Sequence, residues 1–178
     1  MNSRQRLALI DWLIVLVLFT LAFAVRVYRL QEFPPGLYVD EAANGVDALE
    51  ILDGRHAIFF ERNTGREPIL IYLQAFAILL FGATPYALRV VPALIGALTI
   101  PALYWMVREA FSTDRLPSRW LGLWTALFVA FSYWHISLSR LGFRAILLPL
   151  TATLAFIFFW RSWNRLIGNR TIPWLNLI

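Results

Sequence analysis

From Pro68 to Val107 a single residue, Arg89, carries a charge, and no other feature constrains the fold more. A stretch this apolar cannot form part of a freely soluble domain, because too little polar surface remains to face water. The pattern recurs at Trp12–Val25, Trp120–Ser139 and Ala145–Trp160, with short arginine-bearing links between the runs. Each run, with its flanks, forms a helix able to cross about 30 Å of hydrocarbon. Composition agrees, at 60% hydrophobic and 15% charged residues over 178 positions. The expected fold is therefore all-α, a polytopic transmembrane helix bundle occupying residues 1–178 as one domain.

The number of spans turns on Ile69–Phe81, which Gly82-Ala83-Thr84-Pro85 separates from Val90–Val107. As a helix it measures about 20 Å, short of a full crossing. Arginine placement gives a second criterion, because cytoplasmic links are enriched in positive charge. Arg4 and Arg6 precede the first span and place the amino terminus in the cytoplasm. If Ile69–Phe81 crosses, five arginines lie inside and eleven outside. If it is only partly embedded, Arg4, Arg6, Arg108, Arg115, Arg119, Arg161, Arg165 and Arg170 are cytoplasmic, eight of the sixteen. The second arrangement fits better: about four full spans, a partly embedded helix, and another segment beginning at Thr171–Ile178. Ala22-Phe23-Ala24 has the form of a signal-peptide cleavage site, but Asp11 interrupts the run and further spans follow.

Charge is divided unevenly along the chain. Residues 28–67 hold eight carboxylates against four arginines, a balance of −4, which leaves +9 elsewhere. All sixteen cations are arginine, set singly at the ends of apolar runs, which argues against a nucleic-acid surface. With no cysteine, thiolate chemistry and disulfides are excluded. Residues 28–67 read as an outer loop. Pro34-Pro35-Gly36 makes a turn, Asp40–Asp53 an amphipathic helix along the membrane surface, and Arg62–Pro68 a second turn.

Candidate chemistry gathers in and around this loop. Asp40 and Glu41 stand at the start of the interfacial helix. They read equally as a charged first turn or as a general base with a second acid that orients a hydroxyl or binds a divalent cation. Arg66-Glu67-Pro68 marks the return to lipid, and Arg89 is a cation at membrane depth, so each suits either a structural ion pair or an anion contact. Arg140 and Arg144, four apart, are expected on one helix face and lack an acid in their segment. A phosphate-bearing ligand would supply the missing partner. His135 has no ligand at metal spacing and reads as a polar helix contact, while Trp120, Tyr133, Trp134 and Trp160 mark membrane interfaces.

The ordered series Arg26-Val-Tyr-Arg-Leu, Pro35-Gly-Leu-Tyr-Val-Asp-Glu, Gly65-Arg-Glu-Pro, Gly82-Ala-Thr-Pro-Tyr-Ala-Leu-Arg-Val-Val-Pro-Ala-Leu and Ser139-Arg resembles one family. It is similar to the amino-terminal part of GT-C membrane glycosyltransferases, in the group of protein O-mannosyltransferases and aminoarabinose transferases. The resemblance implies a polyprenyl-phosphate-linked sugar donor, a hydroxyl-bearing protein or lipid acceptor, and transfer at the outer side of a bacterial inner membrane. It further implies Asp40 as catalytic base, with Glu41 supporting it or binding a cation. Arg66, Arg89, Arg140 and Arg144 become contacts to the donor phosphate, supported by Glu67. The family's second acid after Ser-Arg has no counterpart in Arg144–Pro149, so that function must come from elsewhere. Family members also have more spans, so a further carboxy-terminal stretch or a partner subunit is expected. The competing reading is a non-catalytic membrane module whose carboxylates cap helices and balance arginines. A transporter finds no pair of corresponding broken helices in its support. Catalysis predicts Asp40 in a cavity shared with Arg89 and Arg140.

Overall fold

A computed structural model describes residues 3–111 and 118–168. Arg115, Arg170 and the segment Thr171–Ile178 lie outside them. The elements are α1 (Ser3–Val27), α2 (Val39–Leu52), α3 (Pro68–Phe81), α4 (Pro85–Ala110), α5 (Ser118–Ala130), α6 (Tyr133–Arg140) and α7 (Leu147–Gly168). Among the described residues there is no strand, only an isolated bridge between Phe60 and Arg66.

Three segments are long and apolar enough to cross a membrane: Ala8–Val27, Pro85–Ala110 and Arg144–Leu166. The last adds a short 3₁₀ turn, Arg144–Ile146, to α7. The single span expected over Trp120–Ser139 is instead broken into α5 and α6, bent by 56°. No glycine or proline announces the break. Ser132 adopts an extended conformation, and Arg26 Nη1 donates to Ala130 O at 3.5 Å, taking a carbonyl at the end of α5. A contact more than a hundred residues away in sequence thus supports the bend.

The central element is α4, which packs against α1, α3, α5, α6 and α7. It carries Pro92 and Pro101 in its interior. A proline has no N–H to donate to the carbonyl four residues before it. For Pro92 that carbonyl is Leu88 O, and it accepts instead from Gln74 Nε2 at 2.8 Å. This explains a fully buried glutamine in the otherwise apolar α3. Gly96 lets α6 approach closely: a Cβ there would stand 2.6 Å from Ser139 Cβ.

The two ends of the bundle are tied by different polar groups. At one end, buried Asp11 of α1 accepts from Tyr104 Oη at 2.6 Å and from Arg119 Nε at 2.9 Å, and it also pairs with Arg108. Arg161 Nε donates to Glu109 at 2.7 Å, which brings the far part of α7 to the same end. At the opposite end, Arg140 Nη1 donates to the carbonyls of Val25, Arg26 and Tyr28, and Nη2 to that of Phe33, at 2.8–3.1 Å. Residues 28–67 therefore sit at the end where α1 and α6 finish and α4 begins. The helix α3 packs against both α2 and α4. At fourteen residues it is shorter than the spanning helices.

The amphipathic α2 buries a mixed face, with Ala48 and Ile51 in the apolar core beside three polar residues. Glu41, Asn44 and Asp47 face inward, while Val46, Leu49 and Leu52 are exposed. An exposed apolar stripe suits a helix lying in the membrane interface. The inward polar side is matched by the loop that returns along it. Arg55 pairs with Glu50 at 2.7 Å, Arg62 with Glu50 at 2.7 Å and Asp47 at 3.4 Å, and Arg66 with Asp40 at 3.3 Å.

Candidate functional site

Asp40 and Glu41 follow each other in the first turn of α2 but serve different partners. Glu41 is fully buried and forms a bidentate pair with Arg89, Nε to Oε1 at 2.6 Å and Nη2 to Oε2 at 3.0 Å. Its Oε2 also accepts from Tyr38 N at 3.4 Å, tightening the start of the helix. Arg89 donates in addition to Leu30 O at 3.2 Å, to Pro34 O at 2.9 Å and to Gly36 O. One guanidinium thus locks α4, the start of α2 and the proline turn together.

Asp40 is half-exposed and lies beside Arg66. Arg66 Nη2 donates to Asp40 Oδ1 at 3.3 Å, while Nη1 donates to Asp40 O at 2.7 Å and to Asn44 Oδ1. The backbone of Arg66 is fixed by the Phe60 bridge, with Arg66 N to Phe60 O at 2.8 Å and Phe60 N to Arg66 O at 3.1 Å. Gly65, at φ +90°, turns the chain tightly here, and a Cβ would stand 2.4 Å from the Phe59 ring. Thr64 also holds a left-handed conformation at φ +71°, uncommon for a β-branched residue and a sign of local strain. Burial lowers the Arg66 pKa from its ordinary value, with Asp40 and Asp47 opposing the shift.

Arg140 and Arg144 do not share a helix face as the spacing suggested. The helix ends at Arg140, and Gly142, at φ +68°, redirects the chain before Arg144 opens the 3₁₀ turn. The acid that Arg144 meets comes from outside its segment: Nη1 donates to Glu67 Oε2 at 3.0 Å and to Gly65 O at 2.9 Å. Both members of that pair are well exposed, so solvent screens it and its contribution is small.

These contacts leave a cavity of about 210 Å³ lined by Asp40, Asn44, Thr64, Arg66, Phe143 and Arg144. The expected cavity mates of Asp40, Arg89 and Arg140, do not line it. Arg89 is buried against Glu41, and Arg140 holds the carbonyls of Val25, Arg26, Tyr28 and Phe33, so neither guanidinium faces the cavity. Formal charges on the lining are one carboxylate against two guanidiniums. The excess of +1 suits an anion, and guanidinium geometry suits phosphate oxygens in particular.

A divalent cation shared by Asp40 and Glu41 does not fit this arrangement, because Glu41 spends both oxygens on Arg89. Among the described residues no group of three or more His, Cys, Asp and Glu side chains gathers as a metal site. His135 Nδ1 accepts from Arg26 Nη2 at 2.8 Å, which makes it the helix contact expected.

Three lining residues, Asn44, Thr64 and Phe143, are absent from the sequence-derived set. Asn44 was accessible to sequence reasoning, since it lies one helical turn after Asp40 and asparagine is uncommon inside helices. Thr64 and Phe143 carry no comparable signal, because a turn conformation and a loop contact brought them in.

No curated protein and no solved structure matches the chain. A family model described as dolichyl-phosphate-mannose-protein mannosyltransferase matches residues 66–177, more than half of the chain. The match covers Arg66, Arg89, Arg140 and Arg144 and begins after Asp40 and Glu41. With its GT-C-like motif order and helical membrane architecture, this chain belongs to the dolichyl-phosphate-mannose-protein mannosyltransferase family.

Proposed function

We propose that the chain transfers a sugar, mannose by its family, from a polyprenyl-phosphate donor to a hydroxyl of a protein or lipid acceptor. The site would face the outer side of a bacterial inner membrane, since arginine placement keeps residues 28–67 away from the cytoplasm. The observation that carries this reading is the cavity in which Asp40 meets Arg66 and Arg144. Asp40 takes the proton of the acceptor hydroxyl as that oxygen bonds to the anomeric carbon. The bond from the anomeric carbon to the phosphate oxygen breaks, and the polyprenyl phosphate leaves with the electron pair. Arg66 and Arg144 stabilise the charge that builds on the leaving phosphate. The weak Glu67–Arg144 pair is readily exchanged for a phosphate. Glu41 and Arg89 support the site by fixing the start of α2, from which Asp40 projects, and Arg140 by tying the end of α6 to the chain that follows α1.

The test is transfer from a prenyl-phosphate mannose to a hydroxyl-bearing peptide by the full chain in vesicles. Asp40→Asn is expected to lower transfer by about a hundredfold or more while insertion is unchanged. Undiminished transfer removes Asp40 as the base.

A further inference from the structure

We propose that Asn44 is a positioning residue that aims the Arg66 guanidinium at a phosphate without neutralising it; this rests on Arg66 being a phosphate contact. Asparagine is a poor helix former, yet Asn44 sits inside α2 and is 2% exposed. An arginine side chain has several rotatable bonds, so fixing its backbone through the Phe60 bridge does not fix its guanidinium. Asn44 supplies that restraint. Because a guanidinium only donates, the amide oxygen of Asn44 must face it. Nη1 is then held by Asn44 Oδ1 and Asp40 O, and Nη2 turns to Asp40 Oδ1.

The amide matters for charge as well as shape. A carboxylate at position 44 would offer the same acceptor in nearly the same volume, but it would bring the formal charge of the lining from +1 to zero. Asn44 therefore gives direction to Arg66 and leaves the cavity cationic. Phe143 and Thr64 complete the lining without adding charge.

The experiment measures binding of a water-soluble short-chain prenyl-phosphate mannose to the full chain in phosphatidylcholine nanodiscs. A prenyl mannoside without phosphate serves as the second probe. Asn44→Asp and Asn44→Ala are each expected to weaken binding of the phosphate probe about tenfold. Binding of the neutral probe stays unchanged, and on an Arg66→Gln background Asn44→Ala weakens binding no further, while Asn44→Asp keeps only the part that its added charge contributes. A purely structural role predicts instead that the near-isosteric Asn44→Asp binds the phosphate probe as well as the parent, and that result overturns the proposal. A loss in Asn44→Ala that persists in full on the Arg66→Gln background also overturns it, while the phosphate role of Arg66 stands. If Arg66→Gln alone binds the phosphate probe normally, the phosphate contact itself fails and Asn44 loses its role with it.

Discussion

Replacing Glu41 by glutamine separates a structural from a catalytic role for the second acid of the pair. Both members of the Glu41–Arg89 pair are essentially fully buried, at 0% and 1% side-chain exposure. Arg89 spreads its donors over both Glu41 oxygens and three backbone carbonyls. Glutamine keeps the volume but removes the negative charge and sets an N–H₂ against a guanidinium. Two unit charges about 4 Å apart attract by about 4 kcal/mol at an effective dielectric of 20. Breaking a buried pair by removing one partner costs about 3–5 kcal/mol, in line with that figure. For a chain of this size the loss corresponds to a fall of about 10 °C in melting temperature. The assay is thermal unfolding of the purified chain in nanodiscs, with prenyl-phosphate mannose binding measured well below the transition. Glu41→Gln is expected to lower the melting temperature strongly and to retain substantial binding at low temperature. A normal melting temperature would refute the structural role argued for Glu41.

Gln74→Leu leaves Leu88 O without the donor that replaces the missing N–H of Pro92, and thermal unfolding should register a loss of about 1–3 kcal/mol. Gly96→Ala forces α6 away from α4, because the new methyl would stand 2.6 Å from Ser139 Cβ; a lower melting temperature is expected, by about 1–3 kcal/mol. Asp47→Asn acts in the opposite direction. Burial raises the Asp47 pKa above its ordinary 3.8, with Arg62 opposing, and Oδ2 has no hydrogen-bond partner among the described residues. A raised folded value means that the stability contribution is full below the ordinary pKa and is lost as pH rises through the folded value. Asp47→Asn should therefore stabilise the chain at neutral pH, with the gain vanishing as pH falls toward 4 in melting curves.

The spans were legible because hydrocarbon demands long uncharged helices, and single arginines at their ends mark where each run stops. The short α3 was legible for the same reason, through its length and the Gly82–Pro85 break. The bend between α5 and α6 was not, since Phe131-Ser132 has no breaker and the bend draws on Arg26 from another helix. In the site, Asp40 and Arg66 were found as charges at meaningful positions. Their division of labour with Glu41, Arg89 and Arg140 was hidden, because spacing along a chain does not say which carboxylate a distant guanidinium will reach. Gly142 shows the same limit: a positive φ between Arg140 and Arg144 turns an apparent helix-face pair into the last residue of α6 and the first of a separate 3₁₀ turn. Asp11 illustrates the reverse case. It looked like an interruption of an apolar run, yet it receives Tyr104, Arg108 and Arg119 and ties three helices together.

The most direct test is attachment of a photoreactive prenyl-phosphate mannose to the full chain, with the modified residues read by mass spectrometry. Attachment is expected within Asp40–Asn44, Thr64–Arg66 and Phe143–Arg144, and it should be suppressed by excess unlabelled prenyl-phosphate mannose. Attachment confined to the opposite end of the bundle, around Asp11, Arg108 and Arg119, would contradict the site.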